Sequence, residues 1–481
     1  MTWRTDGCAV ARPPRERRDC PVKYMTLRRR FMAITITAVL GAIGSPAALA
    51  QATQPVWADW EDPELERLLS LASRSSPTLA QAAARLEEAR AATAGAQANR
   101  WPELTANGGV QRTQRPESSA LVSSTGSPRY FTQSNLDATL RWQIDLFGRK
   151  RAALASSAAR QEAERLEFIR TRARLAAEIA RQYMMLRAGD QQQRVEEELA
   201  IVLNEIASID EALEQAGLQS VAETAPLKVE IANRQASLEE GLHNRALAMA
   251  RLATLTGISP PLLDDIASRY RPAPQCASPE PIGIPISVVA SRPEVMAAES
   301  LLRASQADRF IAERVNWPTL TLSGTGGWAR EGSGGGLIAG SNLASQLLGS
   351  LGLQLLDFGR ARAEKDAAQA RLDRAGASYA EAILLAAEDV DAAIADVSRA
   401  SKSREQQRVA ASTADHAMRI ADARLESGLI NRREDLAIRR STLEERLRLI
   451  ATVQQKCEAD IRLSLATTSG GLRAVNQISS R

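Results

Sequence analysis

The feature that most constrains this chain is a set of sequence landmarks that occurs twice. The two copies keep the same order and lie roughly 210 to 216 residues apart. A period of this length is too long for a solenoid repeat, so each copy is a large structural half and the chain builds pseudo-symmetry. The paired landmarks are Ser76-Pro77 and Arg292-Pro293, Trp101-Pro102-Glu103-Leu104-Thr105 and Trp317-Pro318-Thr319-Leu320-Thr321, Asp145-Leu146-Phe147-Gly148-Arg149 and Asp357-Phe358-Gly359-Arg360, and Gly217-Leu218 and Gly428-Leu429.

The pattern of hydrophobic residues changes after the Trp-Pro pair of the first half. Residues 60–99 place apolar side chains at three- and four-residue steps, which indicates helix. Trp101-Pro102 ends this run, because proline disfavours the helical conformation of the residue before it. Residues 104–110 and 136–144 then alternate apolar or small side chains with polar ones, on either side of a polar loop at 116–129. This period of two predicts a pair of strands.

The second half repeats the alternation from Leu320 to Leu355, around a loop at 331–341. One face of both strand pairs is mostly apolar, and the other face is mostly small or polar. Such strands suit a membrane crossing with lipid on one side and water on the other. They suit equally a pair of soluble hairpins packed on a core, and the pattern alone leaves both interpretations open.

Two long helical runs follow the strand pairs, beginning at Gly148 and Gly359. The first run contains no proline before Gly217 and one weak point, Gly189; unbroken, it would extend on the order of 100 Å. Each run is interrupted at its Gly-Leu pair, and more helix follows the break. Glycine between two helical runs predicts the tip of an αα-hairpin. A soluble coiled-coil rod explains these helices but not the strand pairs.

The charge and the leader point to export and away from nucleic acid. Residues 1–50 carry nine Lys and Arg against three Asp and Glu, so the net charge of +4 arises there and the rest of the chain is near −2. No basic excess remains to bind nucleic acid. Arg28-Arg29-Arg30, an apolar run at 31–43 and Ala48-Leu49-Ala50 predict a signal peptide, preceded by an upstream extension if Met25 is the true start. No later segment approaches ~18 consecutive apolar residues, so a membrane crossing would use strands.

Cysteine, histidine and glycine-rich sequences give no sign of catalysis. Cys276 and Cys457 remain after cleavage and match no zinc or redox spacing; two unpaired buried thiols are favoured over a disulfide between the central linker and the last helix. His243 and His416 have no partner at a metal-ligand or triad spacing and are interpreted as helix-surface residues. The glycine-rich run at 331–336 lacks the Lys-Ser/Thr pair of a phosphate loop. We therefore expect no catalytic residue, no metal and no cofactor.

The duplicated Trp-Pro-x-Leu-Thr segments, the Asp-Leu-Phe-Gly-Arg and Asp-Phe-Gly-Arg segments and the Gly-Leu tips make the chain resemble the TolC-like outer-membrane efflux proteins, the outer-membrane factors of RND efflux systems. The resemblance is strongest to the NodT-type branch and covers residues 60–467. It implies a mostly α fold with a membrane β-barrel portion. Three chains of four strands each would close a twelve-stranded barrel above a periplasmic α-barrel of helical hairpins. Many members of this branch carry a lipidated cysteine after the signal; Gln51 follows Ala50 here, so no N-terminal lipid is expected.

The resemblance implies a channel, not an enzyme, in the outer membrane of a Gram-negative bacterium, extending into the periplasm. It would conduct drugs or other small molecules passively. The implied partners are two further copies of the chain in a homotrimer, a periplasmic adaptor (membrane fusion) protein, an inner-membrane RND-type pump and outer-membrane lipid. Alternatives are a duct for secreted proteins or metal ions, and a periplasmic coiled coil without a pore. The expected domains are a leader at 1–50, halves at 51–257 and 287–467, a linker at 258–286 and a tail at 468–481.

The resemblance also assigns roles to residues at the two hairpin ends. The tips where the adaptor docks in the family correspond to Gly217, Leu218, Gly428 and Leu429. The carboxylates and basic latch residues around the closed periplasmic aperture correspond to Glu223, Arg432, Arg433, Glu434 and Asp435. Threefold repetition would bring like charges into a ring that binds cations and opens when its ion pairs break. A solvated charged turn explains the same residues equally well.

Overall fold

A computed structural model of the chain describes residues 60, 62–114, 130–267, 272–274, 276, 286–332 and 342–467. Several predictions fall outside the described residues: the signal peptide at 1–50, the unlipidated Gln51, the loop at 116–129, part of the linker at 258–286 and the tail at 468–481.

Helices and strands follow the same order in the two halves. The first half contains α1 (Pro63–Ser75), α2 (Pro77–Ala98), β1 (Glu103–Gln114), β2 (Tyr130–Ile144), α3 (Arg149–Gln215) and α4 (Val221–Thr256). Two short helices, α5 (Pro260–Ala267) and α6 (Ile286–Ala290), come next. The second half contains α7 (Pro293–Glu313), β3 (Thr319–Gly332), β4 (Asn342–Gly352), α8 (Arg360–Glu426) and α9 (Arg432–Thr467).

The long helices of the two halves have equal lengths. α3 and α8 span 67 residues each, and α4 and α9 span 36 residues each. Each 67-residue helix begins after a glycine in the left-handed region, Gly148 with φ 78° and Gly359 with φ 93°. A side chain would be strained in that conformation, so glycine is required where the chain turns from strand into helix. α3 continues through Gly189, which therefore does not break the helix.

The stretch at 60–99, whose periodicity predicts helix, forms two helices. Asp62 caps α1 by accepting hydrogen bonds from the backbone N–H groups of Glu64 and Leu65, at 3.0 and 3.4 Å. Ser76 has an extended backbone because Pro77 follows it, and α2 begins at that proline. In the part of the chain that the structure describes, no helix combines the length and the apolarity needed to cross a membrane.

The four strands form one antiparallel sheet in the order β1-β2-β3-β4. Directly opposed residues lie on the same face of a sheet, so the register shows what each face carries. One row across the apolar face consists of Leu104, Leu140, Gly324 and Leu347. The adjacent row, on the polar face, consists of Thr105, Thr139, Thr325 and Gln346. The predictions of four strands and of one apolar and one polar face are confirmed.

The strand ends differ from the sequence pattern in two places. β3 continues to Gly332, two residues into the predicted loop at 331–341, because its last residues pair with β2. β4 ends at Gly352, although the alternation continues to Leu355. Its partner β3 begins at Thr319, directly opposite Gly352. Within the described chain, the alternating residues after Gly352 therefore have no strand with which to pair.

The two helical hairpins pack side by side. α3 packs with α4 and α8 packs with α9, and α9 also lies against α3. α7 lies between α3 and α8, whereas α2 lies on α3. The largest hydrophobic cluster joins α1, α3 and α4 and includes the fully buried side chains of Leu65, Leu68, Ile179, Tyr183 and Leu252.

A buried polar network holds the start of α1 on α3. The guanidinium of Arg187 forms ion pairs with Glu64 and, at 3.3 Å, with Asp190. It also lies over the ring of Tyr183, 5.0 Å from the ring centroid. The Tyr183 hydroxyl donates a hydrogen bond to Asp62 at 2.7 Å, and burial raises the pKa of this phenol. The buried charges of Arg187, Glu64 and Asp190 thus compensate one another, and removing any one of them would leave an uncompensated charge.

Cys276 and Cys457 form a disulfide, so the prediction of two unpaired thiols is wrong. Both side chains are buried and pack with Met184 of α3. The backbone carbonyl of Cys276 accepts a hydrogen bond from Arg404 of α8, at 2.9 Å. The linker thus contacts α3 and α8 where it meets α9, and it brings together two cysteines 181 residues apart. The linker carries no hydrophobic period that would predict this position.

Candidate functional site

The structure has a tight turn at each Gly-Leu pair. Gly217 and Gly428 have φ of 72° and 69°, the left-handed conformation that ends many helices. The N–H of Leu218 donates to the carbonyl of Leu213 at 2.9 Å, and the second tip has the equivalent bond at 2.8 Å. This bond satisfies a helix-end carbonyl and fixes the shape of the turn. The side chains of Leu218 and Leu429 are exposed, so each tip presents one leucine to solvent.

Two of the candidate aperture residues, Glu223 and Glu434, cap the helices that leave the tips. The Glu223 carboxylate accepts a hydrogen bond from the backbone N–H of Ser220 at 2.9 Å. The Glu434 carboxylate accepts from the N–H of Asn431 at 3.2 Å, and the Asn431 side chain accepts from the N–H of Glu434 at 2.9 Å. These contacts belong to capping boxes. Among the described residues, neither carboxylate forms an ion pair with the candidate arginines.

Arg432, the first residue of α9, forms a two-pronged ion pair with Glu205 of α3. Its Nε and Nη2 atoms donate to the two carboxylate oxygens at 2.7 and 3.0 Å, a geometry typical of strong charged hydrogen bonds. Its Nη1 atom donates to Asp435 at 2.9 Å. The hydrogen bond between Arg432 and Glu205 raises the pKa of the arginine and lowers the pKa of the glutamate. Both side chains are partly exposed, so water competes for this pair.

Arg433 forms a second two-pronged pair, with Asp210 of α3. Its Nε and Nη2 atoms donate to the two oxygens at 2.6 and 3.2 Å, and this contact raises the pKa of Arg433. The Asp210 side chain is only 3% exposed. Among the described residues, Arg433 is the one cation paired with it. The buried charge of Asp210 therefore depends on Arg433 for compensation.

Asp435 is buried and shared between two arginines of α9. Arg432 reaches it from the start of the helix, and Arg439 donates from Nε at 2.9 Å. Arg439 also pairs with Asp422 of α8. Ion pairs thus run from α3 through α9 to α8 and tie the second hairpin to the first. We name the residues at the centre of this arrangement the latch cluster: Glu205, Asp210, Arg432, Arg433 and Asp435.

Sequence reasoning identified one side of the latch cluster and missed the other. Arg432, Arg433 and Asp435 are brought into one network, whereas the carboxylates that the arginines pair with, Glu205 and Asp210, were not among the candidates. A clue to them exists in the sequence, because the two halves have helices of equal length. Equal lengths place the last turns of α3 level with the first turns of α9, where acidic residues face basic ones.

No cofactor or metal site emerges from the described residues. His243 and His416 are exposed on α4 and α8. In the described ranges, no group of three or more His, Cys, Asp or Glu side chains is placed so as to hold a metal ion.

Comparison with known proteins identifies the family. A family model described as "Outer membrane efflux protein" matches residues 68–258 and 285–469. The chain belongs to this family. OprJ, an outer membrane protein of Pseudomonas aeruginosa, is 28% identical over 428 aligned positions, and the alignment covers 86% of this chain and 86% of OprJ. OpmQ, a pyoverdine export outer membrane protein of Pseudomonas putida, is 27% identical over 390 aligned positions, and the alignment covers 79% of this chain and 81% of OpmQ.

The fold has counterparts among solved structures. The crystal structure of the outer membrane protein VceC from Vibrio cholerae matches with a TM-score of 0.72 at 22% identity, covering 85% of this chain and 97% of VceC. The resemblance inferred from the duplicated motifs is confirmed, and so is the TolC-like fold. The protein is the outer-membrane channel component of an efflux system, located in the outer membrane and extending into the periplasm. Its family is one of channel proteins.

Proposed function

We propose that three copies of the chain form a passive duct that receives drugs or other small molecules from a periplasmic adaptor and an RND-type inner-membrane pump. The observation that carries this proposal is the sheet. It has one apolar and one polar face, and among the described strands β1 and β4 are each paired on one side only. Open strand edges are unstable in lipid, where backbone groups have no water to bond. Three such sheets joined edge to edge close a twelve-stranded barrel with its polar face inward.

The helical hairpins supply the part of the duct below the membrane. Each 67-residue helix is on the order of 100 Å long, which suits a tube that reaches across the periplasm. Each half of the chain contributes one helical hairpin to the wall of this tube, and the two hairpins are pseudo-equivalent. The halves are residues 51–257 and 287–467, joined by the linker at 258–286. The similarity to OpmQ, a protein named for pyoverdine export, supports outward transport. The partner pump is expected to select the cargo, since a duct selects weakly.

The two tips are proposed to dock the adaptor. Gly217-Leu218 and Gly428-Leu429 present exposed leucines from turns of the same shape, and exposed apolar side chains on rigid turns are suited to protein contacts. Changing Leu218 and Leu429 to Asp should abolish adaptor co-purification while the native mass stays that of a trimer. Leu242→Asp, at an exposed leucine in the middle of α4, is the matched control. Full adaptor binding by the tip variant would overturn this assignment.

The latch cluster is proposed to hold the periplasmic aperture closed. It joins α3, α9 and α8 close to both tips, so outward movement of the second hairpin has to break the pairs of Arg432 with Glu205 and of Arg433 with Asp210. Glu434 contributes by capping the start of α9, on which Arg432, Arg433 and Asp435 lie, and Glu223 fixes the start of α4 beside the first tip.

The duct is tested by native mass spectrometry and negative-stain images of the detergent-extracted outer-membrane fraction, followed by conductance in planar bilayers. A three-chain particle with a long tube and discrete conductance steps is expected. In a strain that keeps its adaptor and pump but lacks its own channel, the protein should restore drug resistance. A soluble monomer or dimer would contradict the duct and favour a periplasmic helical rod.

A further inference from the structure

Two aromatic side chains at opposite edges of the sheet are unusually exposed. Phe358 follows β4, and the residue is 98% exposed. Its backbone has φ 51°, a left-handed conformation that is strained for a residue with a side chain. Trp101 precedes β1 and is 69% exposed. The Asp357 carboxylate holds this turn by accepting hydrogen bonds from the N–H groups of Gly359 and Ala361, at 3.0 and 2.9 Å, but the Phe358 side chain stays exposed to solvent in the single chain.

The repeat-equivalent pair in the middle of the sheet is in contact. Phe147 follows β2 and stands directly before the glycine that starts α3, as Phe358 stands before the glycine that starts α8. Trp317 precedes β3, as Trp101 precedes β1. The rings of Phe147 and Trp317 lie edge to face, with centroids 4.8 Å apart and planes at 83°, which is a favourable arrangement of two aromatic rings. The first half thus contacts the second through this pair.

The register of the sheet establishes which strand positions are equivalent. In the first half Arg141 opposes Glu103, and in the second half Gly352 opposes Thr319. Gly352 on β4 is therefore equivalent to Arg141 on β2, and Thr319 on β3 is equivalent to Glu103 on β1. Every other residue of these strands is matched by counting from these positions.

Applying this equivalence to the pairing of β2 with β3 gives a pairing of β4 with β1 of another copy. Within the chain, Ile144 opposes Leu320. The equivalent pair is Leu355 opposite Leu104. The next pairs on the same face are Leu353 opposite Ala106 and Leu351 opposite Gly108. All of these residues belong to the apolar face, whereas a shift by one residue would set apolar against polar side chains throughout.

The helices below the sheet agree with this pairing. α7 lies between α3 and α8, and most of its residues are buried or half-buried. α2 is the repeat-equivalent of α7, but it lies on α3 and most of its residues are exposed. The same equivalence places the α8 of a neighbouring copy against the uncovered side of α2.

We propose that Phe358 of one copy packs edge to face on Trp101 of the next and forms an aromatic lock that fixes β4 on the neighbouring β1, with Leu355 opposite Leu104. The inference rests on the proposed trimer and assigns its closing seam. The alternating residues after β4, which lack a strand partner in the single chain, extend that strand at the seam. The lock stands where the barrel meets the helices, so it sets the register of every strand above it.

Cysteine cross-linking in the full-length protein tests the lock. With Trp101→Cys and Phe358→Cys on one chain, a short bismaleimide should shift the protein from the monomer band to covalent dimers and trimers on a denaturing gel. Phe147→Cys with Trp317→Cys is the matched control, since the same reaction there joins residues of one chain and leaves the mass of a monomer. A monomer band for the first pair, while the control pair reacts, would overturn the lock.

A second pair of variants tests the register and does not remove the aromatic rings. Leu355→Cys with Leu104→Cys should form a disulfide between copies under copper-phenanthroline oxidation, because directly opposed strand residues lie within disulfide range. Leu355→Cys with Thr105→Cys places the thiols on opposite faces and should not react. If the protein is trimeric by native mass but both pairs behave alike, the register is wrong and the duct stands. If the native protein is monomeric, the lock and the duct fail together.

Discussion

Replacing Arg433 by alanine should open the closed duct. The change leaves the carboxylate of Asp210, 3% exposed, without its cation. A buried hydrogen-bonding group that loses its partner costs about 1–3 kcal/mol of free energy, and a charged one more, so the three equivalent sites of the proposed trimer sum to at least about 3–9 kcal/mol. In the proposed open duct the second hairpin has moved away and the carboxylate reaches water, so this cost falls on the closed state. Because about 1.4 kcal/mol is a factor of ten, the closed population should fall roughly a hundredfold or more relative to the open one.

The neighbouring arginine provides an internal comparison. Arg432→Ala should have a smaller effect, about 0–1 kcal/mol per site, because Glu205 is 39% exposed and water replaces the lost hydrogen bonds. Asp435, which Arg432 also contacts, keeps its hydrogen bond from Arg439. Arg408→Ala removes an exposed pair within α8 and should leave the duct unchanged.

The assay is single-channel conductance in planar bilayers at neutral pH. Mean conductance should be highest for Arg433→Ala and lower for Arg432→Ala. The Arg408→Ala protein should have the conductance of the unchanged protein. The double change Asp210→Ala with Arg433→Ala removes the buried charge and with it the cost to the closed state, so its conductance should fall back below that of Arg433→Ala. Equal conductance of the Arg433→Ala and Arg408→Ala proteins would refute the latch. A larger effect at Arg432 than at Arg433 would refute the role of burial.

Three further outcomes follow from contacts elsewhere. Cys457→Ser removes the link to Cys276 across 181 residues and should lower the free energy of unfolding by about 2–5 kcal/mol. Reduction of the unchanged protein should lower its denaturation midpoint to that of the variant, and reduction should leave the midpoint of the variant unchanged. The ion pair that lowers the pKa of Glu205 should stabilise the closed duct at neutral pH, and this stabilisation is lost as the pH falls through that lowered pKa, below 4.5. Conductance should therefore rise on acidification, and Glu205→Gln should abolish the rise. Gly257→Ala should destabilise the fold by roughly 1–3 kcal/mol or more in thermal denaturation, because φ is +71° and the new Cβ would lie 2.3 Å from the last carbonyl oxygen of α1. The control is Gly241→Ala, where a Cβ meets nothing within 4 Å, and this change should be neutral or stabilising in the same measurement.

The fold was predictable because its determinants are local and occur twice. Trp101-Pro102 ends a helix and begins a period of two, and the same change recurs at Trp317-Pro318. Gly217 and Gly428 stand at the tips because the left-handed turn that closes a helix favours glycine, and the residues on either side prefer helix. Backbone conformation at these points depends on a few neighbouring residues, so the sequence alone locates them.

Contacts between distant segments were less predictable. The disulfide depends on where a linker without hydrophobic periodicity crosses the helices, and no local pattern gives that path. Glu205 and Asp210 are two of many acidic residues on α3, and only the packing of α9 against α3 selects them as partners of Arg432 and Arg433. The end of β4 was predicted too far along the chain because the length of a strand depends on its partner, and β3 begins at Thr319, opposite Gly352.

The two halves differ in charge close to the tips, and the difference bears on the proposed latch. By equivalence from Gly217 and Gly428, the positions of Arg432 and Arg433 on α9 correspond to Val221 and Ala222 on α4, which carry no charge. The positions of Glu205 and Asp210 on α3 correspond to His416 and Ala421 on α8. The ion pairs of the latch cluster thus join the second hairpin of a chain to the first hairpin of the same chain, and the equivalent positions of the proposed contact between chains cannot form these pairs. We therefore expect the proposed latch within a chain to respond to charge removal and to pH. At the proposed contact between chains these four positions are Val221, Ala222, His416 and Ala421, which include no Arg–carboxylate pair, so we expect no equivalent response there.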